Sequence, residues 1–405
     1  MEKPKIMHEL EIAFGSVYGL EEATALLEVL RAGAPSCGKK VRQFEEAFAA
    51  YCGVRYALAV TSATTGLTLA GIAAGVGPGT EVITTPLSWI ATASAFSTLG
   101  ARIVFCDVDP RTLNMDPDAL EARISKNTRA IVPVHLAGQC CAMDRIMHVA
   151  QGQGLAVIED CSHNPGGEYL GRKSGALGTM GVFSFHQQKN MCTLGEGGMI
   201  TTDSRELYEK ALSYRSLCCR AYGGSYKYLP IDESRYPMGR EYWRLQFDDF
   251  GYNFRLTDAQ AAVGIEQLKK LDGFNARRIE LAASLTRRLE RVPNLILPYE
   301  DPQGKHVYHF YLLHLAEGHP LKKAEMMWEL YARKGIKAWN HYMPIHLAEP
   351  YRRQGHAAGE CPVAERAHDF FLSLPIHPRM DEPAIEYMAD CVAELSDPAL
   401  KGARA

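Results

Sequence analysis

From residue 56 to residue 202, short apolar runs alternate with longer stretches of helical periodicity, and this rhythm constrains the fold more than anything else in the chain. Runs at 56–60, 81–84, 102–107, 130–134, 156–159, 182–185 and 199–202 read as strands. Stretches at 64–74, 89–99, 117–124 and 143–151 read as the helices between them. Strands that are apolar almost throughout are buried on both faces. Alternation with helices then predicts an α/β fold, a mostly parallel central sheet with helices on both faces. Ligands of such sheets sit at the carboxyl ends of the strands, so the residues just past those ends are the ones to inspect.

They are unusually polar. After the first run comes Ser62-Ala63-Thr64-Thr65-Gly66, small residues opening a helix. Free amides and the helix dipole there favour a phosphate, although a plain N-cap explains the same residues. After the second run stands Trp89, either a face for a flat ring or ordinary packing. After the fifth come Glu159, Asp160 and His163. Two acids ending an apolar strand are hard to place in a core, so at least one should face a cleft.

The last two runs flank Lys189, with Ser184 upstream and the turn Gly195-Glu196-Gly197-Gly198 downstream. Burying an ammonium costs several kcal/mol unless its pKa falls or it is chemically used. One reading is a solvated loop lysine. The other is a Schiff base with pyridoxal phosphate (PLP), for which Asp160 would keep the pyridine nitrogen protonated, Trp89 would fix the ring plane, and Thr64, its neighbouring amides and Ser184 would anchor the phosphate.

The flanks are less regular. Residues 21–31 and 41–51 form amphipathic patterns. Between them, Gly33-Ala-Pro-Ser-Cys-Gly-Lys-Lys40 approaches a nucleotide-binding P-loop, but no strand precedes it and Lys40 stands where a hydroxyl would bind magnesium. Residues 205–217 read as a helix, 220–249 as a long aromatic and charged connection, and 257–271 as a helix capped by Thr257. We expect a large domain over 1–270 and a smaller C-terminal α/β domain over 271–405, with helices at 275–291, 322–334 and 383–395 and a strand at 308–315.

The bulk numbers exclude several classes. A net charge of −3 gives no sign of a nucleic-acid partner, and no apolar run is long enough to span a bilayer. Eleven cysteines without a C-x-x-C pair, and a charged first ten residues, suit a reduced cytoplasmic protein. No H-E-x-x-H or paired cysteine spacing suggests a metal site.

Specific motifs add a resemblance. Leu20-Glu-Glu, Phe44-Glu-Glu, Gly77-Pro-Gly-Thr-Glu-Val82, Asp107-Val-Asp-Pro110, Pro133-Val-His-Leu-Ala-Gly138 and Ile158-Glu-Asp160 lead to Phe183-Ser-Phe-His…Lys189 with Gly195-Glu-Gly-Gly198. Gly251-Tyr-Asn-Phe-Arg255 and Asp258-Ala-Gln-Ala-Ala262 follow. With these the chain resembles the DegT/DnrJ/StrS family of PLP-dependent sugar aminotransferases, of fold type I. The resemblance implies that Lys189 and Asp160 are catalytic, and that Ala63, Thr64, Trp89, His163 and Ser184 also contact the cofactor. It implies that Asn253 reaches the cofactor of a second subunit in a homodimer with shared sites. It places His341, Tyr342 and His346 at the substrate entrance.

The implied reaction moves an amino group from glutamate or glutamine, through PLP and its pyridoxamine form, to a keto-sugar, a nucleotide-linked one by preference. Departures from the family pattern keep an alternative open. Ser62-Ala63-Thr64 replaces the usual Asn-Gly-Thr, and Gln187-Gln188 precede the lysine, as in relatives that aminate keto-cyclitols. A dehydratase would be expected to carry histidine in place of Lys189, and a non-catalytic regulator to have lost the lysine or the acid.

Overall fold

The computed structural model describes residues 15–33, 36–225 and 227–397. Its centre is a seven-stranded sheet built from β1 (Tyr56–Val60), β2 (Glu81–Thr84), β3 (Arg102–Phe105), β4 (Thr128–Val132), β5 (Ala156–Asp160), β6 (Met180–Ser184) and β7 (Gly198–Thr202). The spatial order is β1-β7-β6-β5-β4-β2-β3. From β3 across to β6 every pairing is parallel, and β7 runs antiparallel to both β6 and β1. The sheet is therefore mostly parallel, and burial of Val82, Ile131, Ile158, Val182 and Ile200 on its two faces explains the near-continuous apolar runs.

Register brings the candidate site residues together. Val60 and Ser184 both lie opposite Gly198, so the end of β1, the end of β6 and the start of β7 meet at one level. A Cβ on Gly198 would fall 2.6 Å from the Ser62 carbonyl carbon and 2.8 Å from the Ala63 nitrogen, so only glycine lets the helix start sit this close. That helix, Ala63–Ala73, is capped by the Ser62 hydroxyl, which accepts from Thr65 N at 3.2 Å.

Residues expected to form two helices, 257–271 and 275–291, form one of 32 residues, Asp258–Leu289. Thr257 caps it as expected. Asp272-Gly273 does not break it, because one mid-helix glycine costs only about 1 kcal/mol and the buried faces of Leu271, Asn275, Arg278 and Leu281 hold the chain on either side. The helix passes from the central sheet to a three-stranded antiparallel sheet of Leu295–Ile296, Tyr311–Leu315 and Phe371–Leu374. Against it pack the helices Lys323–Lys334 and Glu382–Leu395, around Leu285, Leu313, Leu330, Leu372, Ile385 and Val392.

The P-loop look-alike has another use. Asp258 accepts from the amides of Gly38 (2.6 Å), Lys40 (3.2 Å) and Val41 (3.1 Å), so a carboxylate of the chain itself caps the Lys39–Cys52 helix.

Candidate active site

At the carboxyl ends of β1, β2, β5 and β6 lies a cavity of about 530 Å³, lined among others by Thr64, Trp89, Asp160, His163, Ser184 and Lys189. Of the two acids ending β5, Asp160 faces this space. Glu159 points the opposite way into the protein, accepting from the amides of Gly175, Leu177 and Gly178 and pairing with His135 Nε2 at 3.0 Å. Both Glu159 oxygens are thus committed, which also accounts for the buried cluster of His135, Glu159 and Cys161 without a metal.

Asp160 is almost fully buried and held on both oxygens, Oδ2 by the Thr92 hydroxyl at 2.7 Å and Oδ1 by the Ser162 amide at 3.1 Å. Thr92 belongs to the first turn of the Ala91–Ser97 helix, which starts two residues after Trp89. Neither hydroxyl residue, Ser88 or Thr92, stands out in the sequence, since hydroxyls at a helix start read as caps. The signal was their position just past a strand end.

Lys189 lies in the excursion between β6 and β7, its amide bonded to His186 O at 2.9 Å. Burial lowers its amine from 10.5 to about 8, against the opposing pull of Asp160. The side chain is half-buried, and among the described residues its amine has no ion-pair or hydrogen-bond partner.

His163 is buried, with Nε2 3.0 Å from the Tyr342 hydroxyl and its ring stacked on His309 at 4.5 Å. Burial and the nearby Lys189 push its pKa well down, so the ring is neutral. Its Nδ1 has no partner among the described residues. His341, whose pKa burial drops to about 3, stacks on Phe310 and lines the cavity beside Tyr342. Trp89 (62% exposed) and Trp339 (50% exposed) form an open aromatic rim with Lys337. Lys337 and Trp339 carry no motif that marks them in the sequence.

One expected residue lies elsewhere. His346 is fully buried, bonds Glu365 at 2.9 Å and packs on Phe105, so it is a structural residue and not part of the substrate entrance. A buried imidazole has to find a partner, and the proline-bounded turn aims this one inward. Asn253 is exposed and does not line the chain's own cavity.

The residues present fit PLP: an acid on a strand tip, a half-buried amine of lowered pKa, an unpartnered buried imidazole nitrogen, and first-turn helix amides that the helix itself leaves unbonded. Fold and site together define a fold type I aminotransferase.

The model of the DegT/DnrJ/EryC1/StrS aminotransferase family matches residues 18–393, and the chain belongs to that family. It is 38% identical to the spore coat polysaccharide biosynthesis protein SpsC of Bacillus subtilis over 93% of this chain and 95% of that one. It is also 38% identical to the GDP-perosamine synthase of Caulobacter vibrioides, over 87% of this chain and 88% of that one. Among solved structures, DesV of S. venezuelae superposes with a TM-score of 0.82 at 33% identity, covering 93% of this chain and 95% of that chain. The chain is a PLP-dependent aminotransferase.

Proposed function

We propose that the acceptor is a nucleotide-linked keto-deoxysugar and the donor glutamate or glutamine. The observation that carries the chemistry is the Lys189 amine, half-buried and lowered to about 8, in one cavity with Asp160. The name of the GDP-perosamine synthase supports a nucleotide-linked acceptor. Indole faces at the rim suit a sugar ring, whose C–H faces pack on aromatic planes.

Asp160 would hold the ring nitrogen, Ser184 with the Ala63 and Thr64 end of the helix would hold the phosphate, and Trp89 would cover the ring face. When bound, PLP supplies an electron sink for the charge left at the donor's α-carbon. Lys189 would move the proton from that carbon to the cofactor's C4′ in the first half-reaction and from C4′ to the acceptor's carbon in the second, which requires a neutral amine near neutral pH. Tyr342, fixed by His163, directs a hydroxyl into the cavity to orient a substrate oxygen.

A keto-cyclitol acceptor is the second reading, favoured by Gln188 lining the cavity. Lysine at 189 speaks against a dehydratase, and Lys189 with Asp160 against a non-catalytic regulator.

The working unit we infer is a homodimer. Asn253, outside its own chain's cavity, is available to a partner's site, and Tyr242, Trp243, Phe247 and Phe250 near it in sequence are exposed aromatics of the kind interfaces cover. Eleven free cysteines, all buried, and the lack of a helix able to cross a membrane among the described residues support a cytoplasmic location.

The test is to load the protein with pyridoxamine phosphate and screen keto-sugars and keto-cyclitols for return of the visible cofactor absorbance. Response to cyclitols alone would replace the first reading by the second, and response to neither would defeat both. Mixing Asn253→Ala with Lys189→Ala chains tests shared sites. No recovery of activity in the mixture would refute sharing.

A further inference from the structure

One buried cation has no part in the mechanism above. Arg278 is 1% exposed on the long helix, and among the described residues its hydrogen bonds go only to backbone carbonyls: Gly15 (2.8 Å), Tyr308 (3.0 Å), His309 (3.2 Å) and Ile376 (2.6 Å). Burial lowers its pKa to about 9. A guanidinium kept in such a place needs a reason, since an apolar side chain of similar volume would cost less desolvation.

The reason lies in what those carbonyls support. Gly15 donates its amide to Gln187 O at 2.9 Å, two residues before the lysine. Its approach is so close that a Cβ would fall 1.7 Å from Lys189 O and 2.4 Å from Gln188 O. On the other side, Asn190 donates to Asn275 Oδ1 (2.9 Å) and Val307 O (3.0 Å), and its Oδ1 lies 3.2 Å from His309 Nδ1. Asn275 in turn donates to Pro165 O at 2.8 Å. Asn275 and Arg278 are three residues apart, on one face of the helix. Both sides of the lysine thus lead back to a single helical turn.

We propose that the Asn275–Arg278 turn, acting through Gly15 on one side and Asn190 on the other, is a brace that sets the position of Lys189 against Asp160. These are positioning residues. None of them is among the residues lining the cavity, and their effect is on where the amine sits. The proposal rests on Lys189 being the reactive amine.

Arg278→Lys keeps the charge but replaces a planar fork with a point donor, which cannot span four carbonyls. Gly15→Ala forces the lysine loop aside without entering the sheet core. For both we expect the donor half-reaction to slow by about 10²-fold, the loss that a misplacement of about 1 Å brings, with the donor KM within about twofold. We also expect a shifted pH midpoint of the visible absorbance on reconstitution with PLP, and slower uptake of PLP by the apo-protein. Thermal melting separates this from a merely structural role. A lower melting temperature with wild-type kcat and an unmoved pH midpoint in both variants would overturn the brace. Should Arg278→Lys fail to fold, Asn275→Ala, which removes the turn's bonds to Asn190 and Pro165, decides by the same criteria. Wild-type protein that neither binds PLP nor transfers an amino group would defeat the functional reading, whereas active wild type with unaffected variants defeats only the brace.

Discussion

Thr92 donates its hydroxyl proton to Asp160 Oδ2 at 2.7 Å, and because that proton is spent, the 2.7 Å contact between Ser88 and Thr92 has Ser88 as donor. The acid at the strand tip is therefore held by a two-hydroxyl chain from the segment that also carries Trp89. The same five residues, Ser88 to Thr92, that present an aromatic face to the cavity also fix the carboxylate.

Removing the first link tests its worth. Hydrogen bonds to charged groups contribute about 1.5–3 kcal/mol. Thr92→Val, which keeps the shape and loses the hydroxyl, should therefore lower kcat by about 10- to 100-fold while PLP still binds. Thr92→Ser should recover most of the loss. Steady-state kinetics of the three proteins decide the matter, and a Thr92→Val enzyme with wild-type kcat would separate the bond from catalysis.

Asp160→Asn should be the harsher change. The amide still fits between Thr92 and Ser162, but it cannot keep a pyridine nitrogen protonated, so most of the electron-sink effect is lost. We expect retained yellow colour and a fall in kcat of at least about 10²-fold, measured by single-turnover spectroscopy with the donor. Full turnover in this variant is the outcome that refutes the assignment.

The sheet was legible because its strands bury both faces. The run 81–84 is predicted and observed with the same bounds, and 56–60 likewise. What strand alternation cannot tell is which of two adjacent residues faces the cleft. Glu159 and Asp160 look alike in sequence, and only the loop 175–178 that wraps its amides around Glu159 settles the choice. Asn275 and Arg278 were illegible for the converse reason. Polar residues on a long helix read as its solvent face, and their partners lie up to 263 positions away. His346 misled because neighbours in a short loop, His341 and Tyr342, do face the cavity, while the turn after Pro344 reverses the direction of the chain.

That placement of His346 has a consequence for stability. Its Nε2 bond to Glu365 closes a contact at the floor of the Ile345–Leu347 turn. His346→Ala should cost about 1–3 kcal/mol by removing one of the three hydrogen bonds to Glu365 Oε1, the other two coming from the Gly359 and Cys361 amides, and by leaving a void against Phe105. The KM values for donor and acceptor should stay within about twofold. A raised KM with unchanged melting would return His346 to the substrate site.

The lowered pKa of Lys189 makes the apo-protein's stability depend on pH in a direction that can be stated. Unfolded, the amine titrates near 10.5, and folded it titrates near 8. Below pH 8 both states carry the proton, and the full cost of burying the ammonium is felt. Between pH 8 and 10.5 the unfolded chain binds more protons than the folded one, so this group's contribution to stability rises with pH. Above that window both amines are neutral and the penalty is gone. Lys189→Met, which keeps the length and removes the charge, should therefore stabilise the apo-protein at pH 7 by an amount on the order of 1–3 kcal/mol, and the difference should shrink as pH rises through the window. Denaturant titrations of both apo-proteins at pH 7, 8.5 and 10 would check this. A gain that stayed constant across the series would mean that the amine is not titrating in the folded protein where its burial places it. The same shift accounts for reactivity: at pH 8 roughly half of the folded amine is neutral, against about 0.3% for an ordinary lysine. The cavity that destabilises the charged form is thus the cavity that would equip Lys189 for the base role proposed for it.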